Sequence, residues 1–195
     1  MRKLYLCLLF LCISTQAFAD LYRGYIITLN GYHLTGQIGE IYLSDNQKRV
    51  VFINDFGTPY MISPRLIAGF SFRDGEEFVT FQSTIIQKKW AFLKVVSQGE
   101  GIKLLRTPEK ETQIIADAYG LSTQVTRSNA YYLQLRRRKP IKVKRVGFKK
   151  QMTILLGKRA PDLVDKLGKK GYRYKDLQEI AKEYEEEYLT TRYIM

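Results

Sequence analysis

The chain has 195 residues, a net charge of +13 at neutral pH, 45% hydrophobic residues, one histidine and two cysteines. That length suits one medium domain or a small domain with an appendage. The single histidine, His33, is the one candidate for imidazole-relay catalysis and reads as an ordinary surface residue just past a turn, while the scarcity of His and Cys excludes the common tetrahedral zinc sites. The charge is concentrated. Residues 20–135 hold twelve basic and eleven acidic side chains, and residues 151–195 hold nine and eight, whereas Arg136 to Lys150 holds nine basic residues and no acid.

At the N-terminus, Arg2 and Lys3, the apolar run Leu4 to Ile13, and Ala17-Phe18-Ala19 before Asp20 form the three parts of a secretory signal peptide over residues 1–19. The apolar run is about half the roughly 20 residues a spanning helix needs. Cys7 and Cys12 both fall inside it, so the exported chain is expected to lack cysteine and to hold its core by packing alone. No later apolar stretch approaches a transmembrane length. The expected location is the periplasm or outer-membrane periphery of a Gram-negative-type bacterium, or the exterior.

Residues 20–147 read as β structure. Tyr25, Ile27 and Leu29 precede Asn30-Gly31, and Tyr32, Leu34 and Ile38 follow. A two-residue type I′ turn predicts the pairs Leu29–Tyr32 and Ile27–Leu34 on one face, with His33 opposite Thr28 on the other. Val50 to Ile53, a loop at Asn54 to Gly57, and Tyr60 to Ile62 suggest a second strand pair, Pro59 fitting only at a strand start. Ser63-Pro64 suggests a short helical turn. Asp74-Gly75 marks a reversal that would set Arg73 against Glu76. Phe78 to Phe81, Trp90 to Val96 and Ile102 to Leu105 continue the strands, with a turn at 98–101. Residues 106–129 carry the weakest pattern and read as a long loop with a helical turn near Ile114 to Ala118.

From Phe148 the period changes to that of a helix. Phe148, Met152, Leu155 and Leu156 share one face, as do Leu177, Ile180, Ala181, Tyr184 and Tyr188. Between them Pro161 can open a short helix through Leu163, Val164 and Leu167, with Gly168 as its stop. The expected fold class is therefore α+β: a mostly β small barrel or sandwich, followed over 148–195 by a helical appendage of two or three helices. The tyrosines Tyr131, Tyr132, Tyr172, Tyr174, Tyr184 and Tyr188 are expected to seal the appendage against the β part.

The segments GYIITLNGYHLTGQIG, VVFIN and PYMISPRLIAGFSF, with the closing GYRYKDLQEIAKEYEEEY, resemble uncharacterised exported proteins common in Bacteroidetes-type bacteria. Tyr32-His33 departs from that pattern, where an acidic residue and Thr are more usual. The resemblance implies location and architecture, and no activity. Residues 24–72 are also similar to SH3-like and Sm-like small barrels, a likeness that carries no function with it.

The basic stretch has a ligand logic of its own. Tyr131 to Leu135 reads as a strand, Arg137-Arg138-Lys139-Pro140 as a turn, and Ile141 to Arg145 as a returning strand. This hairpin would present Arg136, Arg137, Arg138, Lys139, Lys142, Lys144 and Arg145 to an anionic envelope component. Export makes lipid phosphate, acidic glycan or an acidic partner the expected targets, with no nucleic acid. An opposing reading leaves the patch as solvated charge, neutralised in part by Glu183, Glu185, Glu186 and Glu187 on the last helix. Asp74, Glu76 and Glu77 cluster at a turn and read as a solvated reversal, and Gly99-Glu100-Gly101 lacks the lysine and helix of a phosphate loop. The expectation is a non-enzymatic exported protein, without cofactor or metal, acting by binding or as a component of an outer-membrane assembly. The alternative is a carboxylate-dependent hydrolase of envelope glycan or lipid.

Overall fold

The computed structural model describes residues 21–44, 47–117, 120–136 and 138–194. Residues 1–19, expected to form a signal peptide, and Arg137 lie outside the described residues. The strands in chain order are β1 Tyr22–Thr28, β2 His33–Ser44, β3 Gln47–Asn54, β4 Pro59–Ile62, β5 Ile67–Asp74 and β6 Glu77–Ile86. They continue with β7 Lys89–Gln98, β8 Ile102–Arg106, β9 Lys110–Asp117, β10 Gly120–Arg127, β11 Tyr131–Leu135 and β12 Ile141–Lys142. Three helices follow, α1 Phe148–Leu156, α2 Pro161–Lys166 and α3 Leu177–Ile194, the last preceded by a 3-10 turn at Tyr174–Asp176. The chain is α+β and mostly β, with a helical C-terminal segment, as its periodicities indicate.

Among the described residues the strands join in one sheet of order β10-β9-β2-β1-β5-β6-β7-β8-β11-β12, with β3 beside β2 and β4 beside β3. These pairings are antiparallel except that of β2 with β9. A bulge between Ile38 and Ile41 shapes β2. Residues three apart should face opposite sides of a strand, yet Ile38 and Ile41 are both buried, opposite Phe52 and Val50. The extra residue restores the face and bends the strand. Those four side chains then meet Ile67, Phe70, Val79, Phe81 and Phe92 from β5, β6 and β7 in one core. Phe70 is stacked on Phe81 at 4.8 Å and edge-on to Phe92 at 5.0 Å.

The first hairpin forms in a different register from the type I′ expectation. Tyr25 pairs with Thr35, Ile26 with Leu34 and Ile27 with His33. Of the turn residues, Gly31 has positive φ (85°) and Asn30 does not, while the Gly31 N–H donates to Thr28 O at 3.0 Å. One left-handed residue closes a three-residue loop, whereas type I′ requires two. The one-residue slip exchanges the faces. Ile26 is buried, Leu29 and Tyr32 are exposed, and His33 stacks on Tyr25 at 4.4 Å.

Three further expectations change and one holds. Arg73 lies opposite Phe78 rather than Glu76, and its Nε donates to Gly75 O at 3.0 Å. At Ser63-Pro64 the single short turn expected is present, closed by the Leu66 N–H to Ser63 O at 3.0 Å. Residues 110–127 are the hairpin β9–β10 instead of a loop. Exposed on much of β10, this hairpin needs few apolar residues, so Ser, Thr and Gln replace the pattern that would mark it. The return after β11 is only two residues of strand, although Val143 N–H still reaches Tyr131 O at 2.8 Å.

The helices take the faces their spacing indicates. Phe148, Met152 and Leu156 of α1 are buried, as are Leu163 of α2 and Leu177, Ile180, Ala181, Tyr184 and Tyr188 of α3. Pro161 opens α2, and Gly168 beyond it has φ of 89°. These side chains pack on Ile102, Leu104 and Leu133 of β8 and β11 in a single core. Tyr174 closes the edge of this core, with its ring 5.9 Å from Tyr131 and 6.1 Å from Phe148.

Candidate anion-binding site

Where α3 crosses the end of β8, the turn between β7 and β8 meets Glu185. Its carboxylate accepts the backbone N–H of Glu100 at 2.6 Å, of Gly101 at 2.9 Å and of Ile102 at 3.1 Å. Gly99-Glu100-Gly101 is thus an anion cradle after all, and the anion it holds belongs to the chain. Close approach explains the glycine at 101: a Cβ there would stand 2.6 Å from the Tyr188 ring. Glu183 is committed elsewhere, accepting from Lys166 Nζ at 2.5 Å and Tyr172 OH at 2.7 Å. Burial pushes the Glu183 pKa up, but these two donors outweigh it and hold the carboxyl below its ordinary value. Neither of these two glutamates neutralises the basic stretch through the contacts just described.

With Glu185 on the backbone, Tyr188 is left to the arginines. Arg136 follows β11 with φ of 52°, and its N–H donates to Gly101 O at 3.0 Å. Its Nε and Nη2 donate to Tyr188 OH at 3.1 and 2.7 Å, and its guanidinium carbon lies 5.1 Å from the ring centroid. Arg159, just past α1, stands 5.4 Å from the same ring, a second cation–π contact. Burial raises the Tyr184 pKa, while Arg159 and Arg136 pull it down.

These residues border a groove of about 980 Å³ between the β7–β8 turn, the end of β11 and α1. Five cations and one acid line it: Lys103, Arg136, Arg138, Lys158 and Arg159 with Glu100, and Tyr184 and Tyr188 beside them. Lys103 is half-buried, its ammonium donates to Gln82 Oε1 at 2.7 Å, and burial lowers its pKa. The groove offers cationic donors at several heights to an anion. No family model, curated protein or solved structure matches the chain. The site therefore stands on its own geometry.

The expected residues divide between two places. Arg136 and Arg138 line the groove. Lys142 and Lys144 are exposed on the other side of the hairpin, where the Gln151 amide clasps the chain, donating to Lys142 O and accepting from Lys144 N–H, both at 2.8 Å. Arg145 lies over Tyr174 at 5.2 Å and lines a second hollow with Lys149, Lys150 and Ile154. Lys139 is exposed on the connecting loop, and Arg137 lies outside the described residues. Lys103, Lys158 and Arg159 are additions that the hairpin pattern did not indicate. A signal was available for two of them: from Ala118 to Pro161 the chain carries twelve basic residues and no acid, and that wider window contains Lys158 and Arg159.

Proposed function

We propose that this is an exported, non-enzymatic envelope protein that acts by binding an anionic component through its cationic face. The observation that carries the reading is the convergence on one groove of cations from three places: Lys103 on β8, Arg136 and Arg138 beyond β11, and Lys158 and Arg159 beyond α1. Like charges repel, so bringing five of them together against a single lining acid, Glu100, costs stability that an anionic ligand offsets. Export rests on the three-part pattern of residues 1–19. The disposition of the acids supports a binding role over a hydrolase: Asp74, Glu76 and Glu77 are exposed at the β5–β6 turn, and buried Glu111 is paired with Lys48.

The reading is tested by reversing two exposed groove cations, Arg138→Glu with Lys158→Glu, in the full chain. The variant is expected to leave isolated envelopes at low salt, as the native protein should when salt screens the contact. Association that survives the reversal overturns the proposal.

A further inference from the structure

The face beside the groove carries a feature that charge alone does not account for. Helix α1 turns Phe148, Met152 and Leu156 inward and leaves Lys149, Lys150, Thr153 and Ile154 exposed. Ile154 is 72% exposed and Val146, just before the helix, is 90% exposed. Folding gains little from either side chain. Ile154 lines both the groove, with Arg138 and Lys158, and the second hollow, with Arg145, Lys149 and Lys150. Val146 lies between two residues, Arg145 and Gly147, that border that hollow.

We infer that this face docks on the surface of an anionic phospholipid bilayer, with Ile154 and Val146 entering the interface and the surrounding cations meeting lipid phosphates. The inference rests on the anionic-component reading and names its target. A polysaccharide or other soluble polyanion satisfies the cations but offers no apolar phase for two projecting aliphatic side chains. A bilayer offers both, phosphate at the level of the ammonium and guanidinium groups and hydrocarbon beneath. Each cation near an anionic leaflet contributes about fivefold in affinity, so Arg138, Arg145, Lys149, Lys150 and Lys158 together suffice for reversible attachment. Among the described residues no helix is long and apolar enough to cross a membrane, so the contact argued here is peripheral.

The test is co-sedimentation of the full chain with vesicles of phosphatidylcholine alone or mixed in equal parts with phosphatidylglycerol, with retention on immobilised heparin measured in parallel. The native protein is expected to bind the mixed vesicles and not the neutral ones. The uncharged double substitution Val146→Ser with Ile154→Ser should weaken vesicle binding about tenfold, the loss of two aliphatic side chains from an apolar phase, and leave heparin retention unchanged. Both positions are exposed, so an unchanged thermal unfolding curve is expected and certifies the variant. Native protein that ignores the mixed vesicles overturns the inference, as does a double variant that binds them undiminished or that loses heparin in equal measure. In each of those cases charge-dependent attachment to envelopes remains a separate result, decided by Arg138→Glu with Lys158→Glu.

Discussion

Glu185 decides what the cationic groove is. Three backbone N–H groups converge on its carboxylate, and a half-buried carboxylate so placed forms charge-assisted hydrogen bonds stronger than neutral ones. Arg136 donates instead to Tyr188 OH, and five cations face Glu100 along the groove. Glu185→Gln keeps the shape but removes the charge and one acceptor oxygen. It is expected to lower the unfolding free energy by about 1.5–3 kcal/mol, read as a shifted urea midpoint at constant slope. Sequence alone pointed to Glu185 as a neutraliser of the arginines. Its actual partner lies 84 residues away, and which acid meets which donor is settled by how α3 crosses β8.

At the scale of elements, α1 separates a packing face from a docking face within nine residues. Met152 is fully buried and Ile154 is mostly exposed. Met152→Ala is expected to cost about 2–5 kcal/mol through lost contacts and the cavity left behind. Ile154→Ala should change stability by less than about 0.5 kcal/mol, so comparing the two melting curves separates the faces. The helical stripes were legible beforehand because an i, i+4 spacing is local and each helix buries one side. The first hairpin was legible as a hairpin but not in its register, since one left-handed residue at Gly31 in place of two shifts β1 by one residue against β2 and puts Ile26 rather than Ile27 opposite Leu34. The pair β9–β10 was illegible for another reason: Ser122 to Arg127 of β10 are exposed on both faces, so its hydrogen bonds leave little hydrophobic trace.

For the whole molecule, the helices are part of the core more than an attachment to it. Ile102, Leu104 and Leu133 of the sheet are covered by Met152, Leu156, Leu163, Leu177 and Ile180. A chain ending at Gly147 would bare that apolar surface. It is expected to aggregate or to lose fixed tertiary structure, with near-UV circular dichroism collapsing while strand content persists. A soluble, cooperatively melting product of that truncation would show that the β part stands alone.

By itself the amino-acid sequence determined the α+β class, the buried stripes of α1 and α3, the position of Pro161 at the start of α2, and the concentration of positive charge between Arg136 and Lys150. These depend on spacing along the chain, which local geometry converts directly into faces. Only the tertiary structure decided that Lys103 joins Arg136, Arg138, Lys158 and Arg159 around one groove, that Glu185 is drawn to the backbone, and that Ile154 remains in solvent between two cationic surfaces. Those outcomes depend on how distant segments pack, and no pattern within a single segment encodes them.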